Sequence, residues 1–306
     1  MTFPCEMERL NHSLAGRYAI RSEAGRGGSA VVFLAADLRH GRDVALKVLD
    51  PALTDQVGRE RFEREIAITA RLQHPHVLPL LDSGTANDLV FFVTPFVGGG
   101  SLRDRLSGPR GIRLADALRW GAEVAGALAF AHREGVVHLD VKPENILLSG
   151  GHAVVADFGI AQAVCDTCPV VTEDGGLVVG TPAYMSPEQA NGSGVDARSD
   201  IYSFGCLIYE LLAGRPPFGG ITPEQVLVRH ATAGMPPLRS VRPDVPRAIE
   251  RAIARSLAKK PADRPASMDA VLSELRGAGR SFAGYRGGHL RGEPRGLGGQ
   301  RSRTTV

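Results

Sequence analysis

The chain has 306 residues, 43% of them hydrophobic and 23% charged, which is ordinary for a soluble globular protein of one large domain or two small ones. Its net charge is +3, but residues 277–306 hold six arginines and one glutamate, or +5, which leaves −2 for the remainder and argues against a nucleic-acid surface in the folded part. No apolar run approaches the ~18 residues of a spanning helix, and four cysteines are too few for a disulfide framework, so we expect a cytoplasmic protein without a membrane segment.

The N-terminal part carries mostly strand patterns. Residues 18–50 alternate apolar and polar side chains at the two-residue period of β-strands, and residues 89–93 form another apolar strand. Between them a helix is predicted over residues 59–73, which ends where His74-Pro75 disfavours the helical conformation. The glycines at 98–100 then indicate a boundary between a small sheet-rich part and a larger part.

The rest of the chain has mainly helical patterns. Helices are predicted over residues 114–134, 201–212, 247–257 and 267–275, and the second of these is apolar on several faces, as expected of a helix deep in the core. Beyond Arg276 the Gly- and Arg-rich sequence has too few apolar side chains to offset the entropy of ordering. We therefore expect a disordered tail.

Two stretches of the sheet-rich part have the chemistry to contact phosphate groups. Residues 25–28, Gly-Arg-Gly-Gly, lie between two strand patterns, where glycines let backbone N–H groups approach phosphates closely, although a structural turn would use the same residues. On the next strand Lys47 lies within an apolar pattern, and Glu65 on the following helix is its candidate partner. Taken alone, this pair fits equally well with two exposed charges that contribute little.

Two loops of the larger part carry a more specific pattern. Asp140, Lys142 and Asn145 follow the apolar Val136-Val137 in one loop. They supply a carboxylate that can accept a hydroxyl proton, an ammonium that can meet a phosphate and an amide oxygen that can bind Mg²⁺. Asp157, in an Asp-Phe-Gly sequence after the next apolar run, supplies a second metal ligand. The set predicts phosphoryl transfer, which depends on positioning and charge neutralisation.

These stretches resemble the signature set of the protein kinases, and the chain is similar to the eukaryotic-type Ser/Thr kinases of bacteria from about Tyr18 to Arg276. Residues 180–189, Gly-Thr-Pro-Ala-Tyr-Met-Ser-Pro-Glu-Gln, resemble the P+1 loop and APE motif of that family. Residues 200–205 resemble its central-helix motif, and residues 263–265, Asp-Arg-Pro, resemble its late arginine motif.

The resemblance implies an α+β, two-lobed protein kinase-like fold, with a small antiparallel-sheet N-lobe that contains one helix and a larger, mostly helical C-lobe. The implied boundaries are an N-terminal extension at 1–17, a kinase domain at 18–276 (N-lobe about 18–97, C-lobe about 98–276) and the tail at 277–306. The implied function is transfer of the γ-phosphate of ATP to Ser/Thr hydroxyls of protein substrates in bacterial-type signalling, with ATP and Mg²⁺ (or Mn²⁺) as cofactors. The physiological substrate, the activating signal and the oligomeric state stay open.

The resemblance also assigns roles to single residues. It implies catalytic roles for Asp140, Lys142, Lys47 and Glu65, and it implies that the metal ligands are Asn145 and Asp157. It places Thr181 in the P+1 loop and gives structural roles to Glu188, Asp200 and Arg264, with Arg264 paired to Glu188. Contacts with ATP are implied for Gly25, Arg26, Gly27, Gly28, Val32, Ala45, Lys47, Thr94, Pro95, Val97 and Leu147.

Four positions depart from the family pattern. Ala30 replaces a glycine of the loop, Ser186 replaces the alanine of APE, and Pro95 replaces a hinge glutamate, all of which are mild changes. Leu139 replaces the arginine before the catalytic aspartate, which normally grips a phosphate on the activation loop. Activation by phosphorylation of that loop is therefore in doubt.

Two other classes of function stay open. A pseudokinase or ATP-binding scaffold is expected to have lost at least one catalytic residue, whereas all are present in this sequence. A small-molecule phosphotransferase of the aminoglycoside type is not expected to carry Lys142, nor the long segment between Asp157 and Glu188 where a peptide would lie. Cys165 and Cys168 form a CxxC pair that fits redox or zinc chemistry, or two incidental loop cysteines.

Overall fold

The computed structural model describes residues 10–27, 30–51, 66–86, 89–158 and 181–277. The N-terminal lobe is built on one antiparallel sheet with the strand order β1-β2-β3-β5-β4. Its strands are β1 (Tyr18–Arg26), β2 (Ala30–Asp37), β3 (Arg42–Leu49), β4 (Asp82–Ala86) and β5 (Leu89–Pro95). The strands predicted over 18–50 and 89–93 are thus confirmed.

The outer face of this sheet is covered by its own hydrophobic cluster. Cross-strand partners lie on the same face, so Phe33, Leu46 and Val93 share the outer face, and all three are buried. Leu10 and Leu14, which precede β1, belong to the same cluster. Residues 10–14 are therefore part of the packing of this lobe, although the sequence motifs begin only at Tyr18.

The helix predicted over 59–73 ends earlier than expected. Residues 66–69 are helical, and the chain turns at Ala70 and Arg71. The Leu72 amide donates to the Thr69 carbonyl at 3.0 Å, an i−3 hydrogen bond of the kind that tightens a last turn. This turn directs Leu72 into the core of the C-terminal lobe, where it is buried. Residues 59–65 lie outside the described residues.

The C-terminal lobe is mostly helical, and the α+β two-lobed architecture is confirmed. Its helices are α1 (Leu102–Leu106), α2 (Leu114–Arg133), α3 (Pro187–Ala190), α4 (Ala197–Ala213), α5 (Pro223–Thr232), α6 (Leu238–Val241), α7 (Arg247–Ser256) and α8 (268–277). A two-stranded ribbon of β6 (Ile146–Ser149) and β7 (His152–Val155) lies between α2 and α3 in sequence. None of the helices in the described part of the chain combines the length and apolar composition that crossing a bilayer requires.

Helix α4 is the central element of this lobe and is buried along nearly its whole length. It starts before the predicted residue 201, because the Asp196 side chain accepts a hydrogen bond from the Arg198 amide and caps the first turn. Its end is as predicted, since Gly214 adopts the left-handed conformation (φ 76°) that closes many helices. The apolar run of the sequence therefore marked the core of the helix but not its first turn.

Two main-chain connections join the β6–β7 ribbon to the segments that border the small lobe. On β6, the Leu148 amide donates to the Gly100 carbonyl at 2.9 Å. On β7, the Val155 amide donates to the His76 carbonyl at 2.8 Å, and Val77 forms a β-bridge with Val155. The β6–β7 ribbon of the large lobe thus contacts both the segment that precedes β4 and the segment that follows β5.

Candidate active site

The inner face of the N-terminal sheet faces the C-terminal lobe, since Lys47 on β3 reaches Asp157. Val32 is the cross-strand partner of Lys47, and Thr94 is that of Ala45, so these four residues share the inner face. All four are half-buried, whereas Phe33, Leu46 and Val93 on the outer face are buried. The inner face is therefore partly exposed and lies opposite Asp157. It carries residues for which the family resemblance implies contacts with ATP.

The glycine-rich segment forms a hairpin at the end of this face. Gly25 pairs with Val32 across the β1-β2 ladder, and the Gly27 amide donates to the Ala30 carbonyl at 2.9 Å. Nothing among the described residues lies within 4 Å of the point where a Cβ on Gly25 would be, so packing does not require glycine there. Close approach of a ligand to the backbone is a physical reason for a glycine at such a position. Gly28 lies outside the described residues.

The junction between the lobes carries the remaining residues predicted to contact the nucleotide. Pro95 is the last residue of β5 and Val97 follows it, both half-buried. Leu147 on β6 is half-buried and forms a β-bridge with Ser101. Between them, a Cβ on Gly99 would lie 1.9 Å from the Leu148 carbonyl oxygen, so this position accepts only glycine without a shift of the backbone.

Lys47 pairs with Asp157 across the cleft. Its Nζ lies 2.7 Å from Asp157 Oδ2, and Asp157 has a φ of 66°, a left-handed conformation unusual for a residue other than glycine. Burial alone would raise the pKa of the Asp157 carboxyl, but the Lys47 ammonium outweighs burial and holds that pKa below its usual value. The carboxylate is thus ionised and suited to a cation. Glu65, the predicted partner of Lys47, lies outside the described residues.

The loop of Asp140, Lys142 and Asn145 folds into one cluster. Lys142 Nζ lies 2.7 Å from Asp140 Oδ2, and Asn145 Nδ2 donates at 2.9 Å to both the carbonyl oxygen and Oδ2 of Asp140. Because one amide nitrogen makes both bonds, the amide oxygen of Asn145 is the atom left for a cation. A carboxylate held in this way can accept a proton from a hydroxyl group that is brought to it.

Asp200, in the first turn of α4, holds this loop in place through hydrogen bonds. It is fully buried, and it accepts hydrogen bonds at 2.8 Å from the amides of His138 and Leu139 and from the His132 ring. Leu139 has a φ of 61°, so these bonds hold a residue in a sparsely populated conformation. Its carbonyl in turn accepts from Gln189 Nε2 at 2.9 Å. The main chain beside Asp140 is therefore fixed from two sides.

The segment after residue 180 is held by contacts that the sequence did not predict. Thr181 is half-buried and precedes a 3-10 turn, Pro182–Tyr184. Ser203 Oγ donates to the Tyr184 carbonyl at 2.7 Å, and the Tyr184 hydroxyl bonds to the Glu210 carboxylate and to Arg103. Glu210 is buried within the apolar α4. In the sequence, this contact is indicated only by a single glutamate, Glu210, within the apolar helix predicted for the core.

Glu188 and Arg264 form the predicted ion pair. The Glu188 carboxylate receives two bonds, from Nη1 at 2.6 Å and Nη2 at 2.8 Å, and both side chains are buried. The other guanidinium N–H groups donate to the carbonyls of Ala258, Arg198 and Lys259, so all five donors are used. Burial would raise the pKa of Glu188, but its bonds to Arg264 lower it below the usual value.

Several predicted features lie outside the described residues. They are Glu65, Gly28, the glycine of Asp-Phe-Gly, the CxxC cysteines Cys165 and Cys168, and the tail beyond 277. Within the part that is described, no three His, Cys, Asp or Glu side chains converge as a protein-only metal cage would require.

Comparison with known proteins gives a consistent result. The protein kinase domain family matches residues 18–275. The serine/threonine-protein kinase PknB of Mycolicibacterium smegmatis is 44% identical over 233 residues, 74% of this chain and 37% of that protein. The serine/threonine-protein kinase pkn2 of Myxococcus xanthus is 41% identical over 241 residues, 77% of this chain and 29% of that protein. The chain thus spans about a third of the length of the curated relatives it matches.

Proposed function

Because the chain belongs to the protein kinase family, in its bacterial Ser/Thr branch, we propose that it transfers the γ-phosphate of ATP to Ser or Thr hydroxyls of protein substrates. The observation that carries this proposal is the convergence of Lys47, Asp157, Asp140, Lys142 and Asn145 on one cleft. A degenerate ATP-binding scaffold has no need for this complete set. The kinase domain is taken to span 18–276.

In this proposal each group has a task that its surroundings support. Lys47 neutralises the phosphates of ATP below the glycine hairpin, and Asp140 orients the acceptor hydroxyl and takes its proton. Asp157, kept ionised, and the amide oxygen of Asn145 hold Mg²⁺ or Mn²⁺, which neutralises charge on the phosphates. Lys142, beside Asp140, is placed to meet the transferred phosphoryl group.

The first expected result concerns the acceptor. In the family, a lysine two residues after the catalytic aspartate and a threonine in the P+1 loop accompany Ser/Thr acceptors, and Lys142 and Thr181 occupy these positions. With Mg²⁺, labelled ATP and casein or myelin basic protein, the purified chain should label Ser and Thr. Mass-spectrometric mapping checks this. Phosphosites that are mostly Tyr would contradict the assignment, and labelled small aminoglycosides without labelled protein would favour a small-molecule phosphotransferase.

A second expected result is activity without phosphorylation of the activation loop. Leu139 has no donor for a phosphate, and the main chain beside Asp140 is already fixed by Asp200 and Gln189. The candidate phosphorylation sites of this loop are Thr167 and Thr172, the threonines between Asp157 and Thr181, and both lie outside the described residues. Phosphatase-treated enzyme and a Thr167→Ala/Thr172→Ala variant should both keep turnover within a few-fold of untreated enzyme. A drop of roughly a hundredfold in either would mean that another basic group binds the phosphate.

A further inference from the structure

A buried histidine lies beneath the segment that follows residue 180. His230 on α5 is fully buried, and α5 packs against the 3-10 turn Pro182–Tyr184. Its Nδ1 lies 2.9 Å from the Tyr202 hydroxyl on α4, and its ring packs edge-on against Phe218 with 4.9 Å between centroids. The ring thus sits between the central helix and the segment that carries Thr181, a position to which the proposed catalysis assigns no task.

The neighbours of His230 determine which ring nitrogen carries the proton. Lys259 Nζ lies 3.4 Å from the Tyr202 hydroxyl oxygen and 3.9 Å from the Phe218 ring centroid. An ammonium can only donate, so Tyr202 accepts from Lys259, and its own O–H has two acceptors, His230 Nδ1 at 2.9 Å and the His230 carbonyl at 3.4 Å. The shorter distance assigns the O–H to Nδ1. Nδ1 is then the acceptor, and the proton of the neutral ring is on Nε2.

The ring is neutral at ordinary pH. Burial, and then the nearby Lys259 ammonium, lower the pKa of His230 to about 4, while the backbone of Ala183 acts in the opposite direction. The other polar or charged groups around the pair Tyr202 and His230 are the Cys206 thiol, the Glu188 carboxylate and the Arg264 guanidinium, the last 4.8 Å from the Tyr202 ring centroid. The Glu188 carboxylate accepts from Arg264 and from Ser199, and it makes no hydrogen bond to Nε2.

Nε2–H is a buried donor without a bond of normal geometry. Among the described residues it is the buried side-chain nitrogen that lacks a hydrogen-bond partner. The backbone group that acts on the ring is that of Ala183, inside the 3-10 turn. An unpaired buried donor is unfavourable, so any movement that brings the Ala183 carbonyl onto Nε2 is favoured.

We propose that His230 is a positioning residue for the peptide-binding segment 181–185, whose Nε2–H donates to the Ala183 carbonyl when a protein substrate seats on that segment. The inference rests on the proposed function, in which this segment receives the residue after the acceptor. In the structure Nε2 has no partner that meets hydrogen-bond geometry, although the Ala183 backbone already acts on the ring. In the proposal, seating of the substrate brings the two into a normal hydrogen bond. His230 therefore contributes to the binding of protein substrate and contributes nothing to the binding of ATP.

Two variants of His230 separate this role from simple packing. Asparagine places an amide near the position of Nδ1 and keeps the contact with Tyr202, whereas glutamine places an amide donor near the position of Nε2. His230→Asn should raise the KM for a peptide built on the mapped phosphosite roughly five- to tenfold, the worth of one hydrogen bond, with the KM for ATP unchanged. His230→Gln should keep the peptide KM within about twofold of wild type.

The outcomes distinguish failure of this inference from failure of the proposed function. Wild-type enzyme that transfers no phosphate to protein overturns both. If the wild type is active, equal peptide KM values for wild type and His230→Asn, or equal rises in the KM for peptide and for ATP, overturn the role of His230 alone.

A measurement on the wild type covers the case in which the variants fail to fold. In ¹⁵N-histidine-labelled enzyme, the same peptide should shift the Nε2–H proton of His230, assigned through its contact with the Phe218 ring, downfield, and an ATP analogue alone should not. No shift with peptide, or the same shift with the ATP analogue alone, overturns the inference.

Discussion

Replacing Asp140 with asparagine should reduce phosphoryl transfer by about 10²–10⁴-fold, because the amide cannot accept the proton of the attacking hydroxyl. Asp140 receives Lys142 Nζ at 2.7 Å and Asn145 Nδ2 at 2.9 Å, so the substitution keeps the shape of the loop while it removes the charge. Its main chain remains tied through the neighbouring Leu139 amide to Asp200. The affinity for ATP should therefore stay close to that of wild type, since the residue orients the acceptor and does not hold nucleotide.

Turnover of Asp140→Asn in an autophosphorylation or peptide assay, with nucleotide affinity measured by calorimetry, checks this expectation. Asp269→Asn is the matched control, because it makes the same change at an exposed carboxylate that pairs with Arg133 on the surface. Wild-type turnover by Asp140→Asn would show that the catalytic assignment is wrong. A parallel loss of turnover and nucleotide binding would instead mean that the cleft has been distorted.

The largest effect on stability is expected from Arg264→Ala. Arg264 uses all five of its N–H donors, and its side chain is 0% exposed. Its removal leaves the buried Glu188 carboxylate with Ser199 Oγ at 2.7 Å as its remaining side-chain donor. Loss of one partner from a buried pair costs about 3–5 kcal/mol of unfolding free energy, a large part of the stability of a typical domain.

Chemical denaturation of the wild type and the variant measures this difference. Arg133→Ala provides the comparison, since Arg133 and Asp269 form an ion pair in which both side chains are more than half exposed (58% and 57%) and should contribute less than about 1 kcal/mol. Equal stability of Arg264→Ala and wild type would contradict the packing role assigned to the pair. Truncation after Arg276 should leave the midpoint of unfolding nearly unchanged, because the tail has few apolar side chains to pack.

Most of the fold and the main polar cluster could be predicted because their signals are local in sequence. Asp140, Lys142 and Asn145 lie within six consecutive residues and contact one another directly. The strand and helix patterns likewise depend on neighbours in the chain. The Glu188–Arg264 pair spans 76 residues and was expected only because the family resemblance supplied it.

The contacts that could not be predicted join residues far apart in the chain. Arg103 reaches Glu210 across 107 positions and Tyr184 across 81, and neither spacing has a periodicity that a sequence pattern can reveal. Within the described residues Lys47 pairs with Asp157, 110 positions away, a contact that no local pattern indicates. The pairing of Lys47 with Glu65 stays a prediction, because Glu65 lies outside the described residues. The early end of the helix at Thr69 was also missed, because burial of Leu72 against the other lobe decides it.

The main-chain connections of the β6–β7 ribbon to Gly100 and to His76–Val77, on either side of the small lobe, have a mechanical consequence. Rotation about the line through two connections strains them least, whereas twisting and sliding strain both. We therefore expect any opening of the cleft to be a rocking of the small lobe about the line from β6 to β7. Such a rotation would separate Lys47 from Asp157 and would leave the contacts within the Asp140 cluster of the C-terminal lobe intact.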